Sequence, residues 1–188
     1  MASERRTMPI VYQVKVTLRD SKPPIWRRIQ ARGGTSLYTF HKILQTVMGW
    51  TDSYLHLFII DRAFYGKPDP GYHFEVRDEK EFTLSQVLSE EKDKFAYEYD
   101  FEDCWQHDVV IEKMMPPKRG IRYPVCLAGK RACPPEDCGG IWEYADILEA
   151  IEDPRHPEYY SMLKWVENGF DPESFNLEEI NRRLKKIE

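Results

Sequence analysis

Two short runs with a strict two-residue period constrain this chain more than anything else in it. Phe95, Tyr97, Tyr99 and Phe101 alternate with Ala96, Glu98 and Asp100. Trp105, His107, Val109 and Ile111 then share one side of the run Trp105 to Glu112. Period two is the strand period, because successive side chains point to opposite faces. The link Glu102-Asp103-Cys104 is too short for anything but an antiparallel return, so the pair predicts a β-hairpin. Its two bulky faces are expected to form much of the core.

The other elements follow from the same kind of pattern. Ile10 to Arg19 alternates, with Tyr12, Val14, Val16 and Leu18 on the apolar face. Pro23-Pro24 turns the chain, and Ile25 to Ala31 reads as a second strand, with Trp26 as a core residue. Ser36 is placed to cap a helix running to about Met48, whose stripe is Leu37, Phe40, Leu44, Val47 and Met48 with Ile43 beside it, and Gly49 ends it. Leu55 to Asp61 is a strand, and Tyr65-Gly66 with the run to Gly71 marks a turn. Thr83-Leu-Ser-Gln86 has capping-box spacing for a short helix through Leu88. Helices are expected from Trp142 to about Ile151, from about Pro157 to Val166, and from the Asn176 cap to Leu184. The fold class is α+β: an antiparallel sheet, one helix after the second strand, and helices packed on from the C-terminal third. Residues 1–9 are expected to be an N-terminal tail and 10–188 a single domain.

Composition narrows the class. A chain of 188 residues that is 41% hydrophobic and 13% aromatic can bury one good core, and an aromatic share that high is foreign to disordered chains. The longest apolar run, Leu55 to Ile60, is interrupted by His56 and falls well short of the roughly 18 residues a membrane span needs. No secretory pattern opens the chain, so the expectation is a cytoplasmic protein with no membrane partner. Residues 1–50 carry a net +7 and the remainder −12, which reads as two solvated faces meeting in the fold.

Chemistry-bearing residues concentrate in Cys126 to Tyr144, CLAGKRACPPEDCGGIWEY. Its prolines and glycines predict a loop throughout, and ordering so long a loop costs entropy that some role should offset. Cytoplasmic cysteines are thiols or metal ligands before they are disulfides. Cys126, Cys133 and Cys138, with His107 or Cys104, are the candidate zinc set, but the x6 and x4 spacings lack the paired short knuckle of zinc motifs. The simpler reading is buried small side chains with no cofactor. A thiol enzyme would use Cys138 at a helix start with His107 or His56 as base, and the adjacent Glu136-Asp137 works against it. Asp100, Asp103, His107, Glu136 and Asp137 would form an acidic pocket for a divalent cation or a basic peptide if the loop folds back over the hairpin, Trp105 joining them in the contact surface. The bland alternative is that Asp103 holds the turn and His107 sits in the core. Arg19, Lys22, Arg27, Arg28 and Arg32 around Trp26 are the candidate nucleic-acid set, against a pI near 5.6 and an alternation that puts Arg27 and Arg28 on opposite faces.

The segments Pro24-Ile-Trp-Arg-Arg-Ile29, Met48-Gly-Trp50 with Leu55-His56, Tyr99-Asp-Phe101 with Asp103, Trp105 and His107, and Ala132-Cys-Pro-Pro-Glu-Asp-Cys-Gly-Gly140 resemble the plasmid Ri open-reading-frame-three-like family. Cys126-Leu-Ala-Gly129, His156-Pro-Glu158 and Phe170-Asp-Pro-Glu173 extend the likeness over about residues 10–185. The resemblance implies an α+β domain of about this length. It carries a resolvase-type description, as passenger proteins of mobile elements, without a settled activity. A serine recombinase needs a nucleophilic serine among arginines, and Ser36, which follows Arg27-Arg28, already has a capping role. Family members often carry Gly at Glu102, Ser at Cys104 and His-Leu-His where this chain has Tyr54-Leu55-His56, so a histidine pair is not expected here. The leading expectation is a non-catalytic module that binds a protein or peptide through the hairpin tip and the Cys126–Tyr144 loop. A metal- or thiol-dependent enzyme on that loop and a DNA-associated accessory protein are the alternatives.

Overall fold

The structure, a computed structural model, describes residues 9–167 and 169–187; residues 1–8 of the expected tail lie outside them. In chain order the elements are β1 (Val11–Leu18), β2 (Trp26–Arg32), α1 (Leu37–Met48), β3 (His56–Ile60), β4 (Ala63–Gly66), β5 (Val76–Asp78), α2 (Leu84–Val87), β6 (Lys94–Tyr99), β7 (Trp105–Met115), β8 (Val125–Lys130), α3 (Gly140–Glu152), α4 (Tyr159–Glu167) and α5 (Leu177–Leu184). The strands form one sheet in the order β5-β4-β3-β6-β7-β1-β2-β8. Every pairing is antiparallel except β4 with β5.

The aromatic hairpin is the middle of this sheet. Tyr97 lies opposite His107 and Tyr99 opposite Trp105, and all four are buried. Phe101 falls outside β6: the strand stops at Tyr99, and the turn runs from Asp100 to Cys104. Both ends of that turn are left-handed, with φ of 57° at Asp100 and 53° at Cys104. The special backbone therefore sits at Asp100 and Cys104, not at Glu102. Asp100, not Asp103, holds the turn: its Oδ1 accepts from the backbone N–H of Glu102 at 3.0 Å. Asx side chains do this readily in left-handed turns.

One face of the sheet is covered and the other is not. Tyr12, Val14, Val16 and Leu18 of β1 point to the covered side with the apolar stripe of α1. Ser36 Oγ accepts from Thr39 N at 3.1 Å and caps α1, and Gly49 closes it at φ 101°. The capping box of α2 is present, Thr83 N donating to Gln86 Oε1 at 2.7 Å. Arg27 of β2 is buried on the covered side, whereas Trp26, expected in the core, is only half-buried on the open face. Arg27 donates to Val47 O at the end of α1 and to Lys130 O of β8, so a guanidinium supplies the donors that terminal helix carbonyls require.

Two further expectations are corrected. Tyr65-Gly66 is not a turn but the end of β4, which pairs with β5 across a gap no local pattern announces. Cys126 to Lys130 is not loop but β8, paired with β2. Its Gly129 is needed for close approach: a Cβ there would lie 2.4 Å from Phe175 Cε2 and 2.9 Å from Arg27 Cδ.

Candidate functional site

The true loop, Arg131 to Gly139, does fold back onto the hairpin, but its acidic residues do not gather into one pocket. Glu136 accepts from the Thr51 backbone N–H at 3.2 Å, and the hydroxyls of Thr51 and Tyr99 also donate to it. Asp137 accepts from the Tyr54 hydroxyl, and that bond is the largest cause pushing the phenol up to about 12. Trp50 Nε1 donates to Pro134 O at 3.0 Å. The segment Trp50–Tyr54 is therefore the floor to which the loop is bound. Asp103 takes the other end, accepting from Gly139 N at 3.2 Å. Burial, aided by the charges of Asp100 and Asp137, raises its pKa.

Of the remaining predicted residues, Asp100 is buried in the turn, and Trp105 and His107 are wholly inside. Trp105 Nε1 and His107 Nε2 have no hydrogen-bond partner among the described residues. His107 Nδ1 lies 3.2 Å from Tyr97 O. What the tip does leave open is a cleft of about 360 Å³ whose lining includes Asp20, Glu102, Asp103, Trp105, Gly139 and Trp142. Trp142, on the first turn of α3, is 70% exposed.

The thiols do not converge. Cys126 Sγ donates to Ala128 O at 3.6 Å, whereas Cys133 Sγ lies 3.5 Å from Met48 Sδ and 3.6 Å from Arg27 Nη2. Burial pushes Cys126 up to about 11, and burial with the Asp103 charge pushes Cys138 up to about 12. Cys133 and the exposed Cys104 are raised as well, burial being the largest cause in each. These are protonated, poorly nucleophilic thiols at neutral pH. Three of the four arginines of the nucleic-acid set are engaged, Arg19 with Asp108 at 2.6 Å, Arg28 with Glu112 at 2.6 Å, and Arg27 inside the core, while the exposed Arg32 lies over the Tyr123 ring.

The arrangement that sequence reasoning missed lies under β3 and β6. The ring of His41, from α1, stacks on that of His56, at the start of β3, with centroids 3.4 Å apart and planes 4° from parallel. A histidine pair thus forms after all, with α1 supplying the partner that Tyr54 does not. His41 Nε2 is 2.7 Å from Asp52 Oδ1 and Nδ1 is 2.8 Å from the Tyr97 hydroxyl. Gln45 Nε2 donates to that hydroxyl at 3.0 Å, and Gln45 Oε1 accepts from Asp52 N at 3.0 Å. The four groups close a ring in which each donor finds one acceptor if His41 is neutral and protonated on Nε2. Burial, with the neighbouring His56 as second cause, pulls His41 down to about 4. His56 Nε2 in turn meets the buried Glu79 carboxylate at 2.7 Å. A signal was present in the sequence: His41 and Gln45 sit one and two helical turns beyond Leu37, on the buried stripe of α1.

The sheet and its covered histidine pair define a one-sheet α+β protein whose polar cluster sits in the core beneath the central strands. Residues 10–179 match the plasmid pRiA4b ORF-3-like proteins, and the chain belongs to that family. It is 33% identical, over 179 residues, to the uncharacterized protein y4hQ of Sinorhizobium fredii, covering 94% of this chain and 92% of that protein. It also resembles the crystal structure of MM3350 of Methanosarcina mazei, described as a protein of unknown function. That likeness has a TM-score of 0.81 at 37% identity, over 92% of this chain and 98% of that one. Among the described residues no helix is long and apolar enough to cross a membrane.

Proposed function

We propose that this protein is a non-catalytic binding module that takes a basic segment of a partner protein at the cleft between the β6–β7 tip and the start of α3. The observation that carries the reading is Trp142, 70% exposed at the rim of a cleft it shares with Asp20, Glu102 and Asp103. An indole face beside carboxylates attracts a lysine or arginine by cation–π and charge together. Arg19, the cation of the cleft, is already neutralised by Asp108. The walls are held in register by the bond from Gly139 to Asp103, so little ordering is left for binding to supply. The raised thiols support a passive role over a nucleophilic one.

The test is a tryptophan-emission titration with a short acetylated peptide of alternating lysine and arginine, run beside its glutamate counterpart. Saturable binding of the basic peptide alone is expected, weakened at least tenfold in Trp142→Ala and in Glu102→Lys. Equal affinity of Trp142→Ala, or equal binding of the acidic peptide, would remove the reading.

A further inference from the structure

The buried histidine cluster takes no part in the cleft. Among the described residues, His41, Asp52 and His56 are the one group of three metal-ligating side chains whose donor atoms lie within 4.8 Å of each other. They come from three places that the fold fixes independently: α1, the left-handed turn at Asp52 (φ 60°), and the first residue of β3.

Their surroundings have the form of a metal site's outer shell. Ligating imidazoles characteristically give their second nitrogen to a carboxylate or other acceptor, which sets ring orientation and basicity. Here His56 turns Nε2 to Glu79, itself 2% exposed, leaving Nδ1 without a partner among the described residues. His41 turns Nδ1 to the Tyr97 hydroxyl, whose own position is held by Gln45. That leaves His41 Nε2 and Asp52 Oδ1 facing one another at 2.7 Å, with a proton between them where an ion would stand. Access is through Asp52, whose side chain is 48% exposed, while that of His41 is fully covered.

We propose that His41, Asp52 and His56 bind one divalent transition-metal ion of the zinc, cobalt or ferrous class. Two imidazoles and one carboxylate suit such borderline ions and not calcium or magnesium, which want oxygen. The ion takes the place of the His41 Nε2 proton, which moves to Nδ1, so the ring stays neutral and Nδ1–H donates to the Tyr97 hydroxyl oxygen, whose own proton turns away from the imidazole. Donors around a tetrahedral ion sit roughly 3.4 Å apart, within the 4.8 Å that bounds these three donor atoms, so on binding they adjust toward that spacing and the stacked rings splay from parallel. Three protein ligands leave a fourth position toward the Asp52 side for solvent or a ligand.

The test is titration of chelator-treated full-length protein with cobalt chloride, followed by visible absorption, and with zinc chloride, followed by Tm. The expectation is one cobalt per chain, ligand-field bands without a thiolate charge-transfer band, and a Tm that rises with zinc concentration. Asp52→Asn keeps the hydrogen bond to His41 and its side chain is half exposed, so its metal-free circular dichroism should match wild type while cobalt affinity falls at least tenfold. His56→Asn should weaken binding to a similar degree. Absence of stoichiometric cobalt, a thiolate band, or an undiminished affinity in well-folded Asp52→Asn would overturn the site.

Discussion

His107 shows what full burial does to a titratable ring. Burial pulls it to about 4 from 6.5, although the backbone at Tyr97 and Trp105 and the Asp108 charge act the other way. An unfolded chain takes up this proton near pH 6.5, and the folded one does so only near 4. Between those values the unfolded state binds more protons, so stability is full above 6.5 and falls as the pH drops toward 4. The slope is at most about 1.4 kcal/mol per pH unit for this ring. Urea midpoints measured across that window should fall less steeply for His107→Gln than for wild type, and parallel curves would contradict the assignment. Gly140 has a φ of 89°, and an added Cβ would sit 2.8 Å from the Asp103 carbonyl oxygen. Gly140→Ala should cost about 1–3 kcal/mol from the backbone alone, and chemical denaturation would show it as a lowered midpoint.

Among the elements, the Arg131–Gly139 loop is ordered by hydrogen bonds from outside itself. Glu136 alone gathers Thr51 and Tyr99. Removing it leaves the Tyr99 hydroxyl without its acceptor, a loss of about 1–3 kcal/mol. Glu136→Ala should therefore open the loop to trypsin at Lys130 and Arg131 faster than at other sites, as timed digestion followed by mass spectrometry would report. What was legible beforehand tracks how local each signal is. The caps at Ser36, Thr83 and Asn176, the β1 alternation and the aromatic hairpin all depend on neighbours within a few residues, and all appear where expected, save that Phe101 falls in the turn beyond β6. β8 was lost because Gly129 reads as a breaker until Phe175 and Arg27 are known to lie against it. β4 was lost because its parallel partner comes ten residues later. The histidine pair joins a helix to a strand, and nothing in either segment announces the other.

Across the whole molecule, one face of the sheet is packed and the other carries polar ladders. Gln30 donates to Gln13, Gln13 to Glu112, and Arg28 to Glu112, with Trp26 beneath the Arg28 and Lys15 cations. Of four free cysteines, Cys104 is exposed while Cys126, Cys133 and Cys138 are buried. A thiol reagent at mildly alkaline pH should consume one equivalent from the native protein and three more only on unfolding, and a native count above one would show the core opening on the timescale of the assay. The outermost strand on the β2 side has a guard of its own. Asn181 of α5 accepts from Cys126 N at 2.8 Å and donates to Cys126 O at 2.9 Å. One amide thus impersonates the neighbour that an unfinished sheet would otherwise recruit. Chains cut back to residue 176 would bare that rim and should stack edge to edge into oligomers, which makes the last helix as much a brake on polymerisation as a piece of the core.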